Sequence, residues 1–255
     1  MGDERREARL RALREEFMLV RGYWTPLWDS VLDLDPDYFE AYLRLSEIPW
    51  RRGRLDPKVK ELLYIAVDVV TTHLYEPGIR IHMRNALALG ATESELMEVL
   101  ELSSLIGLEA GAFGAGILSE EMQSLGITSD EDTSQDDHRA LAAAFEARYG
   151  GWSPGTEALA SMDPGYVAAM LGLIDAASSL GALDPLTVHL VLLAANASVT
   201  HADPERARVH IRRALQAGAE PAAVIEVLQL ASVVGVHTLV ISVPILVEEV
   251  ARHGG

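Results

Sequence analysis

The feature that most constrains the fold is a repeat: the chain contains two copies of one pattern, which align without a gap at an offset of 128 positions. Chance similarity does not persist over such a length, so the sequence predicts two tandem copies of one domain. The identical positions run through the whole pattern: Trp24 and Trp152, Asp35-Pro36 and Asp163-Pro164, Gly53 and Gly181, Leu55-Asp56-Pro57 and Leu183-Asp184-Pro185, Thr72-His73 and Thr200-His201, Arg80 and Arg208, His82 and His210, Gly90-Ala91 and Gly218-Ala219, and Glu98-Val99-Leu100 and Glu226-Val227-Leu228.

A polar, acidic stretch separates the two copies. Residues 123–137 hold few apolar side chains, which is typical of an exposed linker. We therefore predict repeat 1 over residues 1–122 and repeat 2 over residues 138–255. The third predicted helix of each copy is more apolar than a domain of roughly 120 residues can bury alone, so we expect the repeats to pack together as a pseudo-twofold pair.

Helix-capping patterns in each repeat predict an all-α fold. Asp56-Pro57 and Asp184-Pro185 each place an N-cap residue before a proline at the first helical position, and a long apolar stretch follows. A second helix is predicted from Ile79 to Leu89, closed by a glycine. Gly116 and Pro244 occupy equivalent positions late in the third helix, where both residue types favour a kink. No stretch shows the sustained alternation of a β-strand, so no sheet is predicted.

The composition excludes several classes of function. The chain has no cysteine, which rules out disulfides and every thiol-based redox mechanism. Its formal net charge of −17 repels phosphate backbones and anionic lipids, so we expect neither nucleic acid nor a membrane as a partner. Residues 1–16 interleave Arg and Glu without an apolar stretch, so we expect no signal peptide and a cytoplasmic location. Residues 230–247 lack Asp, Glu, Lys and Arg, but the Gly, His and Pro among them favour a buried helix over a membrane span.

A narrow polar stripe crosses the first long apolar helix of repeat 1. Glu61, Asp68 and Thr72 stand at i, i+7 and i+11, so Asp68 and Thr72 each lie within about 20° of Glu61 around a helix. An unpaired buried polar group costs roughly 1–3 kcal/mol, so these side chains need partners, either structural or catalytic. Titratable residues stand at matching positions of the two repeats: Glu61, His73, His82 and Glu109 in repeat 1, and His189, His201, His210 and His237 in repeat 2.

Two further interpretations of the histidines stay open. The last carbonyls of a helix stabilise a C-terminal histidine without any function, which would explain His73 and His201, while His82 and His210 could be core histidines. Four imidazoles also suit zinc or iron, although spacing across three helices does not show convergence. The alternative metal site would use the four histidines of repeat 2: His189, His201, His210 and His237.

The run from Asp56 to Ala110, DPKVKELLYIAVDVVTTHLYEPGIRIHMRNALALGATESELMEVLELSSLIGLEA, resembles the carboxymuconolactone decarboxylase/AhpD family. The shared features are a histidine-bearing helix, Ala-Leu before Gly-Ala-Thr, Glu-Val-Leu on the third helix, and the preceding segment from Trp50 to Leu55. The similarity covers residues 45–122 and 173–250, which implies two tandem AhpD-like helical domains. It also implies a homo-oligomer, in which a trimer of two-domain chains mimics the hexamers of single-domain relatives.

In the peroxidase branch of that family, the motif is Glu, eleven residues, Cys-x-x-Cys, three residues and His. In this chain, eleven residues separate Glu61 from His73-x-x-Glu76, and five more precede His82. His73 and Glu76 therefore stand where the redox cysteines would, and peroxidase activity by that mechanism is excluded. The same positions in repeat 2 are His189, His201, Pro204 and His210.

The resemblance then implies the cofactor-independent decarboxylase branch, which acts on a small lactone or cyclic acid by acid/base decarboxylation or isomerisation. Loss of CO₂ beside a conjugated carbonyl leaves a dienolate, so such a site needs a proton donor and a cation for the carboxylate. His82 is expected on the first turn of its helix, where the helix N-terminus keeps imidazole neutral near pH 7. The candidate acid/base residues are His82, His73 and Glu61, with His210, His201 and His189 in repeat 2; the candidate substrate-binding residues are Arg80, Arg52, Arg208, Tyr75 and Thr72.

Two alternatives to this function remain. One is a metal-dependent enzyme that uses the four histidines of repeat 2. The other is a non-catalytic homologue in which the histidines only satisfy the core.

Overall fold

The computed structural model describes residues 2–127 and 135–254, and these residues form helices and connecting turns with no strand, which confirms the all-α prediction. Three short 3₁₀ segments lie at Pro26–Trp28, Leu105–Leu108 and Val233–Val236. The α-helices are α1 (Gly2–Arg21), α2 (Asp29–Leu34), α3 (Pro36–Ser46), α4 (Ile48–Arg52), α5 (Pro57–Val69), α6 (Glu76–Ala88), α7 (Glu93–Ser104), α8 (Glu109–Leu125), α9 (Gln135–Arg148), α10 (Pro154–Met162), α11 (Pro164–Ala177), α12 (Pro185–Ala197), α13 (Pro204–Gln216), α14 (Pro221–Ser232) and α15 (His237–Arg252).

The predicted caps set the ends of the helices that carry the candidate residues. The Asp56 carboxylate accepts a hydrogen bond from the backbone N–H of Lys58 at 2.8 Å and starts α5. Thr92 and Glu95 form a reciprocal capping box at the start of α7. Gly90 follows α6 with a φ of +86°, a left-handed conformation that favours glycine.

The two repeats pack as a pseudo-twofold pair, as predicted. Helix α5 of repeat 1 packs against its equivalent α12, and both are almost fully buried in one apolar core that spans the two repeats. Thr72 Oγ1 lies 3.2 Å from Thr200 Oγ1. Equivalent residues of two copies meet directly only near the axis that relates them, so this contact locates the pseudo-twofold axis.

Two buried glutamates join the repeats reciprocally. Glu98 of repeat 1 accepts hydrogen bonds from the backbone N–H groups of residues 182 and 183 at 2.7 and 2.9 Å. Glu226 of repeat 2 accepts from the N–H groups of residues 54 and 55 at 2.6 and 3.1 Å. A Cβ on Gly53 would lie 2.0 Å from Glu226 Oε1, so the close approach requires glycine there.

The two glutamates differ in one partner. Glu226 Oε1 also lies 2.9 Å from the ammonium of Lys60, which is 3% exposed and donates to the Pro49 carbonyl at 2.7 Å. The position equivalent to Lys60 in repeat 2 is Val188, which offers no charge to Glu98. The contact that Glu226 makes with repeat 1 therefore contains a buried ion pair, whereas the contact that Glu98 makes with repeat 2 does not.

The third helix of each repeat is interrupted earlier than the sequence predicts. The interruptions are the 3₁₀ segments at 105–108 and 233–236, while α8 continues through Gly116 and α15 through Pro244. The reason for glycine at 116 is packing, because a Cβ there would lie 3.3 Å from Gly155 Cα. Neither residue ends its helix, and the kink at these two positions stays a prediction.

After each 3₁₀ segment, the third helix crosses to the other repeat. Helix α8 packs against α10 of repeat 2, and α15 packs against α2 and the Pro26–Trp28 segment of repeat 1. The aromatic cluster of Phe17, Trp28 and Phe39 accordingly includes Val236 and Val240 from repeat 2. The residues at the start of α8 and α15 thus face the opposite repeat.

The helices also bear on the predicted linker and on membrane association. Helix α8 runs to Leu125 and α9 begins at Gln135, so helices occupy both ends of the predicted 123–137 linker, while residues 128–134 lie outside the described part of the chain. Two continuous stretches, 93–125 and 221–252, are long and apolar enough to cross a membrane by length and composition alone. About 33% of the apolar window in each is buried within the chain.

Candidate active site

A small cavity of about 30 Å³ lies in repeat 1, under the segment that follows α1 and against the start of α15. This volume holds roughly one water molecule, so a larger ligand must displace side chains to enter. Aromatic rings form much of the wall, and the polar groups come from four separate parts of the chain. The wall includes Arg21, Tyr23, Trp28, Tyr64, Tyr75, His82 and His237.

A turn brings α6 against the end of α5 beside this cavity. The Tyr75 N–H donates to the Asp68 carbonyl at 2.9 Å, and Leu74 in the turn has a φ of +46°. Helix α6 can then approach because position 78 is glycine. A Cβ on Gly78 would lie 2.0 Å from Asp68 Oδ2, so any other residue would displace the carboxylate or the helix.

Glu61 and His82 form a buried pair at the cavity. Glu61 Oε2 lies 2.6 Å from His82 Nδ1, and the Asn85 amide donates to Glu61 Oε1 at 3.3 Å. A carboxylate accepts, so the proton lies on Nδ1 and leaves Nε2 as the basic nitrogen. The His82 ring stacks on Tyr64 with 4.5 Å between centroids. Glu61 thereby fixes both the tautomer and the orientation of His82.

His82 has a lowered pKa for a different reason from the predicted one. Helix α6 begins at Glu76 and not at Ile79, which places His82 on the second turn, beyond the reach of the helix N-terminus. Burial lowers the pKa of His82, and the bond to Glu61 opposes this effect only in part. The imidazole is therefore neutral near pH 7, as expected, because it is buried.

A second polar cluster joins the two repeats beside the cavity. His73 Nε2 lies 2.9 Å from His237 Nδ1, and the two rings are nearly parallel at 7°. Asp68 Oδ1 lies 3.9 Å from His73 Nε2 and 3.8 Å from His237 Nδ1. The Tyr75 ring stacks on the His237 ring with 3.8 Å between centroids. The α15 crossover supplies His237, so this cluster requires both repeats.

Burial shifts the protonation of this cluster. The Asp68 side chain is fully buried, and burial, with the neighbouring Glu61 carboxylate, raises the pKa of Asp68 to about 8. Burial lowers the pKa of His237 to about 3 and also lowers that of His73. Both Asp68 oxygens lack a hydrogen-bond partner among the described residues. The cluster is thus a buried carboxyl group between two neutral imidazoles.

Arg21 places a cation in the cavity wall. The residue is 5% exposed, and its Nε and Nη1 atoms have no hydrogen-bond partner among the described residues. Its guanidinium carbon lies 4.9 Å from the Tyr64 ring centroid and 5.3 Å from that of Trp50. Cation–π contacts satisfy the charge only partly, so Arg21 has N–H donors available to an anion in the cavity.

The equivalent region of repeat 2 is filled by an ion pair. Position 206, equivalent to Gly78, is an arginine whose Nε lies 2.5 Å from Glu109 Oε1, and Glu109 comes from α8 of repeat 1. Arg206 also donates to the Gly150 carbonyl and lies over the Tyr149 ring. Tyr149 replaces Arg21 and Asn196 replaces Asp68. This region of repeat 2 therefore has no equivalent of the Arg21 cation or of the Asp68 carboxyl group of repeat 1.

His189 and His210 occupy the positions of Glu61 and His82 in repeat 2. Their rings lie 5.8 Å apart, and neither ring nitrogen of His210 has a partner among the described residues. Burial is the main reason that the pKa of His210 falls to about 3. No carboxylate orients this imidazole, so the pair differs chemically from that of repeat 1.

The predicted four-histidine metal site does not form. Among the described residues, the one cluster of at least three potential ligands within 4.8 Å is Asp68, His73 and His237. His237 lies in repeat 1's cluster, apart from His189, His201 and His210, because α15 crosses between the repeats. This grouping was therefore wrong, and the crossover is its physical cause.

Several predicted substrate-binding residues lie away from the cavity. Arg52 is exposed, Arg80 pairs with Glu76 on the surface at 2.6 Å, and Arg208 is exposed near Glu205. Thr72 contacts Thr200 at the pseudo-twofold axis. Tyr75 lines the cavity.

The sequence interpretation missed the contribution of Arg21 and the grouping of Asp68 with His237. Asp68 stands on the polar stripe with Glu61, which is the signal that could have assigned it to the site. Arg21 gives no such signal, because it ends a charged N-terminal helix and aligns with Tyr149 in the other repeat.

Comparison with known proteins identifies the family. The model of the carboxymuconolactone decarboxylase family matches residues 36–115 and 164–237, one region in each repeat. The chain also matches a crystal structure from Burkholderia xenovorans LB400, described as a candidate gamma-carboxymuconolactone decarboxylase subunit, with 34% identity and a TM-score of 0.87. The match covers 96% of this chain and 98% of the other. No curated protein gives a significant match. The chain therefore belongs to the carboxymuconolactone decarboxylase family.

Proposed function

We propose that the chain is a decarboxylase-like enzyme that performs acid/base decarboxylation or isomerisation of a small lactone or cyclic acid in the cavity of repeat 1. One observation carries the proposal: the buried Arg21 guanidinium, two of whose nitrogens have no partner among the described residues, lines the same cavity as His82, which Glu61 orients. A buried cation without a counter-ion is costly. A substrate carboxylate would be its partner.

The cavity wall suits such a substrate. The Nε and Nη1 atoms of Arg21 have no partner among the described residues, so their N–H groups are available to donate charge-assisted hydrogen bonds to a substrate carboxylate. Tyr23 and Tyr64 contribute aromatic rings to the wall, which suits an unsaturated ring. Because Arg21 and His82 are buried, the charged contacts at the site are strengthened.

His82 would act as the general acid and base that transfers the proton. In an isomerisation, Nε2 removes a proton from one carbon and returns it to another. In a decarboxylation, the bound anion raises the pKa of His82 and favours uptake of the proton that the reaction consumes. After CO₂ leaves, the imidazolium protonates the dienolate carbon, and Glu61 stabilises the imidazolium until then.

Only repeat 1 is proposed to be active. The Arg206–Glu109 ion pair occupies the equivalent region of repeat 2, and His210 lacks a carboxylate partner there. The expected stoichiometry is one substrate per chain.

We further propose that copies of the chain cover the long third helices in a trimer. Helices α8 and α15 expose large apolar side chains, including Phe113 at 73% and Ile245 at 54%. Such contiguous exposed apolar surface marks an interaction site.

A paired ligand screen tests the proposed function. Purified chain is incubated with small lactone and cyclic unsaturated acids and, in parallel, with their methyl esters. We expect CO₂ release or a change in ultraviolet absorbance, together with thermal stabilisation, for an acid and not for its ester. Equal effects of acid and ester, or no effect of any acid, would count against the function.

A further inference from the structure

We infer that Asp68, His73 and His237 form a binding site for one divalent transition-metal ion per chain, with the ligand chemistry of Zn²⁺. The inference goes beyond the proposed reaction, whose steps use no metal. It also differs from the four-histidine site that the sequence suggested, since two of its ligands come from repeat 1 and one from repeat 2.

The distances among the three ligand atoms suit a shared ion. With metal–ligand bonds of about 2.0–2.2 Å, the donors around a tetrahedral ion lie about 3.3–3.6 Å apart. The observed separations are 2.9 Å between the two imidazole nitrogens and 3.8 and 3.9 Å from these nitrogens to Asp68 Oδ1. Each differs from the ideal range by less than about 0.5 Å, which side-chain rotation can supply.

The unsatisfied oxygens of Asp68 point to a bound cation. Asp68 is fully buried, and neither of its side-chain oxygens has a hydrogen-bond partner among the described residues. Its neighbouring titratable groups are the two imidazoles, the phenols of Tyr75 and Tyr23, and the Glu61 carboxylate, which adds a repulsion. A divalent ion would displace the proton of Asp68, bind its oxygen, and replace the hydrogen bond between the two imidazoles by a bond to each nitrogen.

The other repeat shows how the same region is satisfied without an ion. There, the carboxylate is Glu109, at the position equivalent to His237, and Arg206 Nε lies 2.5 Å from its Oε1. The position of Arg206 in repeat 1 is Gly78, which has no side chain and lies directly against Asp68 Oδ2. Repeat 1 therefore has a carboxyl group, Asp68, in this region but no cationic side chain at position 78 beside it.

The site adjoins the cavity of repeat 1. His237 and Tyr75 line that cavity. Three protein ligands with a further coordination position open are the ligand count of catalytic zinc sites, so the ion could hold a water or a substrate oxygen beside Arg21.

Direct metal titration tests the inference. The full chain is treated with EDTA, dialysed, and titrated with Zn²⁺ by calorimetry and with Co²⁺ by visible absorption. We expect one equivalent of Zn²⁺ per chain, a rise in Tm with Zn²⁺, and the d–d bands of a four-coordinate Co²⁺ site.

Variants then locate the site. Asp68→Asn and His237→Gln should each weaken Zn²⁺ binding at least about 100-fold, since each removes a direct ligand. Asp68→Asn is suited to this test because repeat 2 folds with Asn196 at the same position. His201→Gln, at the position in repeat 2 equivalent to His73, is the matched control and should leave the affinity unchanged.

Three results would overturn the inference: no stoichiometric Zn²⁺ binding, binding that survives both ligand substitutions, or an equal loss in the His201→Gln control. The readout is metal binding and not turnover. Failure of the metal site would therefore leave the proposed reaction untouched, and failure of the reaction would leave the metal site standing.

Discussion

Replacing Arg21 by methionine should change stability and activity in opposite directions. Arg21 is 5% exposed, and two of its guanidinium nitrogens have no partner among the described residues. Its cation–π contacts with Tyr64 and Trp50 stabilise the buried charge by about 0.5–2 kcal/mol each. This is less than the several kcal/mol that removing an ion from water costs. Methionine fills a similar volume without charge. We therefore expect Arg21→Met to raise the free energy of unfolding by about 1–3 kcal/mol.

The same substitution should abolish most of the activity on an acid substrate. Two charge-assisted hydrogen bonds to a carboxylate contribute roughly 1.5–3 kcal/mol each, or about 3–5 kcal/mol together. This loss corresponds to a fall of about 10²–10⁴ in kcat/KM. Urea unfolding and steady-state kinetics measure the two effects, and Arg21→Lys, which keeps the charge but loses the planar fork, should lie between. A stability loss of more than about 2 kcal/mol with kcat/KM unchanged within about threefold would show that Arg21 is structural and refute the reasoning.

Three further predictions concern the repeat contact, the redox chemistry and the assembly. Glu226→Gln should lower the free energy of unfolding, measured with urea, by about 3–5 kcal/mol, because it leaves the buried Lys60 ammonium without a counter-ion. Glu98→Gln should lower it by about 1 kcal/mol, and equal losses would contradict the assigned ion pair. A peroxide-consumption assay with thiol donors should show no hydroperoxide reduction, since no residue can form a sulfenate, and thiol-dependent turnover would overturn the mechanism. Light scattering should give the mass of a trimer, and Phe113→Glu on α8 should dissociate it; a stable monomer at micromolar concentration would rule the trimer out.

Much of the fold was predictable because it depends on local chemistry that repeats. The Asp56-Pro57 cap, the Thr92–Glu95 capping box and the left-handed Gly90 each set a helix end through contacts within a few residues. The repeat then predicted that the two copies pack as a pseudo-twofold pair, and the structure adds that α5 and α12 form the central contact.

The crossing of the third helices was not predictable in this way. Sequence position places His237 in repeat 2, and nothing local shows that the 3₁₀ segment at 233–236 directs α15 to repeat 1. The four histidines were wrongly grouped because the crossing of α15 to repeat 1 was not predicted. The contact of Gly116 with Gly155 in the other repeat was not predictable for a related reason, because it depends on how α8 crosses to repeat 2.

The candidate site was predictable only in part. The Glu61–His82 hydrogen bond joins two of the residues that the sequence predicted as candidate acid/base residues. Arg21 could not be found, because its position in the wall depends on how the end of α1 packs onto α5, and the other repeat has no arginine there. The arginines at 52, 80 and 208 were predicted as the cation for a substrate carboxylate, but all three are exposed, and residue type alone does not show which arginine is buried at the site.

The comparison of His82→Gln with His210→Gln tests the central claim most directly, because the two histidines are equivalent by the repeat but differ in their surroundings. His82 is held by Glu61 beside the cavity, whereas neither ring nitrogen of His210 has a partner. We expect His82→Gln to lower kcat on the acid substrate about 10²–10⁴-fold with nearly unchanged thermal unfolding. His210→Gln should leave kcat within about threefold of the parent value. Equal losses of kcat in the two variants, or a His82→Gln variant destabilised by several kcal/mol with its activity intact, would contradict the assignment of the reaction to the cavity of repeat 1.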